Sequence, residues 1–534
     1  MRRLIPVIAY LFCLSLAAQN TNRAKVEVVG DTSLVRVLDF AAFESTGKFR
    51  DDTIKVTMRQ FRFLDPAMQT ARLNASLGNL GTAAYPLRPR FLEGLGPRLG
   101  WNAFLANQYL PEQVPYFKTS RPFSQITYQL GSASEHYFQA LHTQSLLPGW
   151  QAGLRFRHQN SVGLYQRQDA VHSNAQVLTR YQSKAKTYAI TAHFTHNTHG
   201  VQENGGLRND SSLILGGLFG ANGSFLPNTN RSTYPVRFNQ AQREGFRNTA
   251  GIRQVWAPWG LPQLNDSSVS GGRFTLVHAL VYDNFEDRFS DEDPDTLYYP
   301  ALLTDSLQSR HSLGYETLRN EVGIKMYLNK KSRTGSPLSV HIGHVAYGMY
   351  STVDSLQQTD TSLQEIQRIQ ASGQHIDLSG SLTFDLGKSL RADVGASFVL
   401  SGFNQGDLAG FFETQWNWKD SLGREKGLDF KFRADVRLSE PDFLSQNFLS
   451  NAKVWQQDFG KTLRWSLDGT AKAKRWDAGL RVQAHLLTNY VWWNAQATPE
   501  QNAGSATLLS AEVSKYQRIG PLDLGLFVLG QFSS

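Results

Sequence analysis

The sequence predicts an all-β protein: a large antiparallel transmembrane β-barrel of about 16–20 strands, with short periplasmic turns and long extracellular loops. Three observations predict it. The first is strict alternation over residues 374–400. Ile376, Leu378, Gly380, Leu382, Phe384 and Leu386 alternate with Asp377, Ser379, Ser381, Thr383 and Asp385; after Gly387-Lys388, Leu390, Ala392, Val394, Ala396, Phe398 and Leu400 alternate with Arg391, Asp393, Gly395, Ser397 and Val399. Successive strand side chains point to opposite faces, so each run has one apolar and one largely polar face, and the glycine-containing break makes the pair a hairpin. Each run exceeds the about five or six residues usual in soluble strands and reaches the roughly 9–11 tilted residues that cross a bilayer. The second observation is that the pattern recurs along the chain about 17 times. The third is that short and long connections take turns.

The chain has 534 residues and begins with Arg2 and Arg3, an apolar run from Leu4 to about Leu16, and Ala17-Ala18-Gln19. That is a signal peptide over residues 1–18, too short to span a membrane as a helix. The single cysteine, Cys13, sits inside the apolar run rather than after it, which argues against lipid attachment; it leaves with the signal, so the mature chain carries no disulfide. No later stretch approaches 18 continuous apolar residues, so helical spans are not expected. A mean hydropathy of −0.36 fits strands that face water on one side. The formal charge is +9, and removing Arg2 and Arg3 leaves 9 − 2 = +7. Acidic and basic residues are interspersed without a compact Lys/Arg block, which excludes nucleic acid as the expected partner.

Residues 19–122 are less regular: Ile54, Val56 and Met58 alternate briefly before the Gly/Pro-rich Leu77–Gly81 and Tyr85–Pro89. They are expected to form an N-terminal periplasmic or plug-like segment, and residues 123–534 the barrel. In order, alternation is clear over 123–130, 150–157, 188–195, 321–328, 374–386, 390–400, 428–437 and 478–485. It is weaker over 136–144, 175–182, 248–256, 272–283, 338–350, 407–418, 462–473, 506–515 and 521–532. Even-numbered connections are mostly short. Odd-numbered ones are mostly long, at 160–174, 197–247, 284–320, 351–373, 439–461 and 489–505, while 131–135, 257–271 and 401–406 break the rule. Short turns on one rim and long loops on the other are the habit of outer-membrane barrels, and they place the start of the first strand on the periplasmic side. Trp416 with Trp418, Trp256 with Trp259, Tyr347 with Tyr350 and Trp492 with Trp493 lie near run ends and are expected to form aromatic girdles. Seventeen crossings from the periplasm end outside, whereas single-chain bacterial barrels normally have an even number; a C-terminal truncation with a poorly paired last strand is therefore expected. Gly205-Gly206, Gly216-Gly217 and Gly220 allow the 197–247 loop to fold tightly, so it is expected to cap or enter the pore.

Tyr116-Phe117-Lys118-Thr119-Ser120-Arg121-Pro122-Phe123 with Tyr128, together with Leu77–Gly81, Glu135 through Gln144, Asn204-Gly205-Gly206 and Pro441 through Asn451, resembles the putative porin family of Bacteroidetes-type outer membranes. The resemblance runs from about residue 75 to the end. It implies an outer-membrane barrel for passive transport, without a defined substrate or catalytic set. Chains of that family usually continue further and finish on a terminal aromatic, whereas this one stops at Gln531-Phe532-Ser533-Ser534.

Three other chemistries fail on spacing. His193, His196 and His199 are three apart, so on a strand neighbours face opposite ways; His341 and His344 fail likewise. Asp291, Asp293 and Asp295 resemble the start of a calcium loop, but Thr296 and Leu302 stand where the turn glycine and closing glutamate belong. No G-x-S-x-G, phosphate-cradling loop or paired cysteines appear, so neither catalysis, metal nor cofactor is expected. What remains is the polar face. On the assigned strands Arg155, Arg157, Lys325, Arg391, Lys431, Arg433, Arg437 and Arg481 share it with Asp377, Asp385, Asp393, Asp429 and Asp435, and in a barrel these are pore-lining candidates. The expected function is a porin-type channel passing small hydrophilic solutes through a mixed-charge lumen in the cell outer membrane. The expected partners are lipid and solute, and a homo-oligomer is compatible. The alternatives are a pore-less barrel acting as scaffold or secretion partner, and a soluble secreted glycan-binding β-protein.

Overall fold

The computed structural model of the chain describes residues 35–39, 50–53, 65–68 and 74–534, except 89–90, 92–93, 133, 209–217, 220–224, 227–230, 262, 265–268, 271–272, 296, 300–301, 304, 306, 330, 332–334, 355–365, 387–388, 420–424 and 521. The signal peptide, Gly216-Gly217, Gly220 and the Gly387-Lys388 turn lie outside the described residues.

Seventeen strands close into one barrel, each antiparallel to its neighbour in the chain. They are β1 Phe123–Leu130, β2 His136–Leu147, β3 Trp150–Ser161, β4 Ala170–Gln182, β5 Tyr188–Gln202, β6 Gln242–Trp256, β7 Phe274–Asp291, β8 Ser309–Tyr327, β9 Pro337–Asp354, β10 Ile366–Leu386, β11 Leu390–Ser401, β12 Leu408–Lys419, β13 Glu425–Ser439, β14 Thr462–Ala473, β15 Ala478–Trp493, β16 Pro499–Ile519 and β17 Leu522–Ser533. The expected runs each fall on one of them. The barrel closes where β17 meets β1, and because an odd number of strands leaves an even number of reversals between them, those two strands run parallel. The other sixteen junctions carry antiparallel ladders, such as the one from Phe274↔Met326 to Asp291↔Ser309 between β7 and β8. No residue register joins β17 to β1 among the described residues.

The burial pattern inverts that of a soluble protein. Ile126, Val177, Phe194, Val322, Ile324, Ile342, Leu378, Phe432, Leu480 and Val528 are exposed on the outside, while Gln159, Asn174, Thr195, Arg247, Asp287 and Lys325 are buried within. Such a surface is stable only against lipid, and a closed barrel satisfies its backbone internally. On β8 the outward side chains Leu318, Val322, Ile324 and Met326 are apolar, interrupted by Asn320, which meets His278 on the same face, and from Glu316 upward they are polar or small. Nine residues at about 3.3 Å each, tilted by about 40°, give roughly 23 Å, close to the apolar band of outer-membrane barrels. The upper edge of the band is a rung of polar or small residues running through His196↔Asn248, Asn248↔Asn284, Asn284↔Glu316, Glu316↔Gly348 and Gly348↔Ser372. Its lower edge carries Trp150, Tyr181, Trp256, Trp416 and Trp418, all exposed. Tyr347 departs from the expected girdle: it sits on the inward parity of β9 and is buried against Leu99 and Phe443.

The connections on one rim leave 148–149, 183–187, 257–273, 328–336, 387–389, 420–424, 474–477 and 520–521 between strands; the other rim has 131–135, 162–169, 203–241, 292–308, 355–365, 402–407, 440–461 and 494–498. The alternation holds, but most long loops are shorter than expected because the strands continue past the band. There the outward face turns polar and the inward face mixes polar with apolar residues such as Phe285 and Met349, so alternation disappears from the sequence while the backbone ladder goes on.

Candidate functional site

The lumen is built by the inward residues of the strands and by the chain preceding β1. Tyr116–Thr119 pairs with Val35–Asp39 in a small separate sheet. Tyr116 and Phe117 pack into a cluster with Leu141, Leu178, Ala189, Val255 and Val277, inward residues of β2, β4, β5, β6 and β7 near the short-turn rim. Burial pushes the Tyr116 phenol up to about 12, so it stays neutral; its hydroxyl shares a hydrogen bond with Nδ1 of His193, 2.9 Å away. Further along the wall Leu99 meets Phe285, Leu313, Val345 and Met349, and Phe104 meets Ala170 and Val201. At Leu87, Arg88, Phe91 and again from Gly94 to Arg98 the segment lies against the opposite wall. Arg88 pairs with Glu512 of β16, Gln531 of β17 donates to the Leu87 carbonyl at 2.6 Å, and Arg437 of β13 donates to the Gly94 carbonyl at 2.7 Å. Arg98 meets Asp442 at 2.9 Å. The loop after β13 holds it there: the Phe443 and Leu444 amides donate to the carbonyls of Arg98 and Leu99, both at 2.9 Å.

All thirteen sequence-predicted residues share the inward parity, but they separate into two groups. Arg155, Arg157 and Arg437 grip the crossing segment. Arg155 and Arg157 stack on the Tyr109 ring at 4.3 and 4.7 Å, and Arg157, only 6% exposed, also donates to the Asn107 carbonyl and to Asn174. The others meet the wall. Asp377 binds Arg319 at 2.9 Å and His375 at 3.2 Å. Arg391 binds Asp393 at 2.6 Å and sits opposite Asp385 in the ladder. Lys431 and Arg433 share Glu413 at 2.9 and 3.3 Å, and Arg433 lies 3.7 Å from Asp435. Arg481 holds Asp468, with Nε 3.0 Å from Oδ2. Asp429 meets Lys474 at 3.0 Å. Lys325 is buried over the Tyr327 ring.

Sequence reasoning missed a second set, the uncharged polar residues that hold the segment. Gln151 binds Thr119, Gln159 binds Asn107, and His172 approaches the Gly81 carbonyl at 2.6 Å. Asn197 both accepts from the Tyr109 amide and donates to its carbonyl. His199 meets Asp287 at 3.0 Å; Asp287 also takes Arg243 and the Trp101 indole. A signal was present: His172, Asn174 and Gln176 on β4, and His193, Asn197 and His199 on β5, make two inward rows without a fixed charge. Amides and imidazoles offer both donor and acceptor, which suits gripping a backbone. His196 points outward to Asn248, as the spacing requires, and His341 and His344 split the same way toward Glu321 and Gln374.

The crossing segment borders a cavity of about 800 Å³ lined on the wall side by inward residues of β6–β9 and of β11–β15. Its lining includes Phe91, Trp101, Glu112, Phe411, Arg433, Asp435, Arg464, Asp468 and Arg481. Such a space can hold a small polar solute.

A family model described as "Putative porin" matches residues 40–534. No curated protein matches the chain. Among solved structures, the pyoverdine outer membrane receptor FpvA from Pseudomonas aeruginosa PAO1 is similar at a TM-score of 0.50 and 11% identity, over 78% of this chain and 62% of that one. The siderophore receptor PirA from Acinetobacter baumannii gives 0.46 and 10%, over 76% and 61%. The RagAB peptide transporter gives 0.43 and 11%, over 75% and 50%. The chain thus spans half to two thirds of the length of these structures, and at such identities the likeness is one of fold.

Proposed function

Because this outer-membrane chain belongs to the porin family whose model spans nearly all of it, we propose that it is a non-enzymatic channel passing small hydrophilic solutes down their gradients. The observation that carries this reading is the mixed-charge cavity inside a barrel whose outer face is apolar. The thirteen inward charges tune selectivity on this reading, because ions in a lumen respond to the sign of the wall. The partners are outer-membrane lipid and the solute. The test is reconstitution of the purified chain in a planar bilayer: discrete, ohmic conductance steps are expected, and their absence at any voltage would overturn the open-channel reading.

A second reading has an observation of its own. Residues 79–119 are packed into the lumen by three apolar clusters and by hydrogen bonds to both walls, which is what a plug requires. A plugged barrel gives steps only after the segment is displaced. Removing residues 79–113 from the full chain should then raise conductance several-fold, whereas an already open channel would change little.

A further inference from the structure

We infer that the cavity contains a subsite for a small oxyanion, the carboxylate or phosphate group of a passing solute, on the wall formed by β13, β14 and β15. This rests on the channel reading above and names what the channel takes.

The wall is unusual in what it places side by side. Arg437 and Arg464 are direct partners in the β13–β14 ladder. Directly opposed like charges are destabilising unless counter-charge lies close. Asp435, 3.1 Å from Arg464, supplies part of it, and the Arg464 guanidinium also lies 4.4 Å from the Phe91 ring. One rung on, Ser466 pairs with His485 of β15, whose ring meets Phe91 edge-on at 4.9 Å. Arg464, Ser466 and His485 are 9, 5 and 6% exposed, and all three line the cavity. Nε of Arg464, Oγ of Ser466 and both ring nitrogens of His485 have no hydrogen-bond partner among the described residues. A buried polar atom without a partner is costly, and here such atoms gather on neighbouring strands around one space.

Their chemistry selects the ligand. The arginine only donates, serine and imidazole can donate, and the guanidinium fork matches the paired oxygens of a carboxylate or phosphate. A cation would meet the guanidinium first. A neutral sugar would bring the two neighbouring arginines no counter-charge beyond that of Asp435. Phe91 and Phe411 bound the same cavity, so the carbon part of a small organic acid has somewhere to lie.

The test uses the folded, detergent-solubilised full chain and equilibrium dialysis with radiolabelled inorganic phosphate and, separately, succinate. Saturable binding of at least one is expected, and which of the two binds assigns the phosphate or the carboxylate form of the site. Arg464→Gln should weaken that binding about tenfold or more, as loss of a charged hydrogen-bonding group does, and Ser466→Ala about threefold. Lys184→Gln removes the same charge from an exposed turn and should leave binding unchanged. Heat-modifiable migration checks that each variant is folded, and Ser466→Ala, which removes one atom, keeps the test open if Arg464→Gln misassembles. Failure of both anions to bind, or equal weakening by Lys184→Gln, would overturn the site. Conductance steps that persist while neither anion binds would sink the subsite and leave the channel standing.

Discussion

Val394 and Arg391 are three residues apart on β11 and face opposite media. Val394 is 39% exposed on the outer face, near the middle of its apolar run; Arg391 points inward to Asp393. Val394→Arg would set a guanidinium against lipid at a cost of roughly 2–4 kcal/mol at the midplane, so the yield of heat-modifiable barrel should fall. Arg391→Leu leaves Asp393 its Thr383 hydroxyl, so the barrel should assemble. Its lumen then has one cation fewer, and the reversal potential in a salt gradient should shift toward cation preference. Normal assembly of Val394→Arg beside failure of Arg391→Leu would mean the two faces are exchanged. These two positions could be read from the sequence, because period-two alternation reports the face directly. The tasks of Arg157 and Arg437 could not, because alternation does not say whether an inward charge meets water or a backbone carbonyl 343 residues away in the chain, as Arg437 does at Gly94.

At the scale of elements, the strands were legible and the segment inside them was not. Residues 79–119 have no regular period; their described contacts are with partners scattered from β2 to β17, and nothing local announces such contacts. Tyr116 tests how firmly they are held. Tyr116→Phe keeps the ring in its apolar cluster and removes the hydroxyl that meets His193. Losing one partner of a buried hydrogen bond costs about 1 kcal/mol, which raises the locally opened population about fivefold. Limited proteolysis of the native barrel should cleave within residues 74–122 correspondingly faster, and an unchanged rate would show that the hydroxyl does not hold the segment. The loop between β5 and β6 permits a similar test. Its described legs, 203–208 and 231–241, are hydrogen-bonded to each other, as from the Arg208 amide to the Pro235 carbonyl at 3.0 Å, and Phe238 packs on Phe289 and Tyr299 at the long-loop rim. Deleting Asn209–Asn230 leaves those legs in place, so conductance should rise if the loop tip obstructs the path. An equal conductance would put the tip outside it.

For the whole molecule, the two sides of the lumen hold the segment by different forces, and the difference has a measurable consequence. On the β2–β7 wall the contacts are apolar clusters joined by buried hydrogen bonds from mainly uncharged side chains such as Gln159 and Asn197, and full burial of a residue such as Phe117, 3% exposed, contributes roughly 1.5–3 kcal/mol whatever the salt. Toward β13, β16 and β17 they are polar: Arg88 to Glu512, Arg98 to Asp442, Arg437 to the Gly94 carbonyl, and Gln531 to the Leu87 carbonyl. Ion pairs of this kind, with part of their surface exposed, contribute about 0–1 kcal/mol each, and they weaken as the Debye length falls from about 10 Å at 0.1 M to about 3 Å at 1 M. Salt should therefore free residues 87–98 first and widen the cavity side while the other side stays anchored. Conductance divided by bulk conductivity should rise from 0.1 to 1 M KCl. A rigid charged pore behaves in the opposite sense, because at low salt its wall charges concentrate counter-ions and raise the ratio. Glu512→Gln removes the charge that Arg88 meets and should raise the ratio already at 0.1 M, flattening its salt dependence. A ratio that falls with salt in both the native chain and Glu512→Gln would show that the crossing residues stay fixed and that ions pass around them.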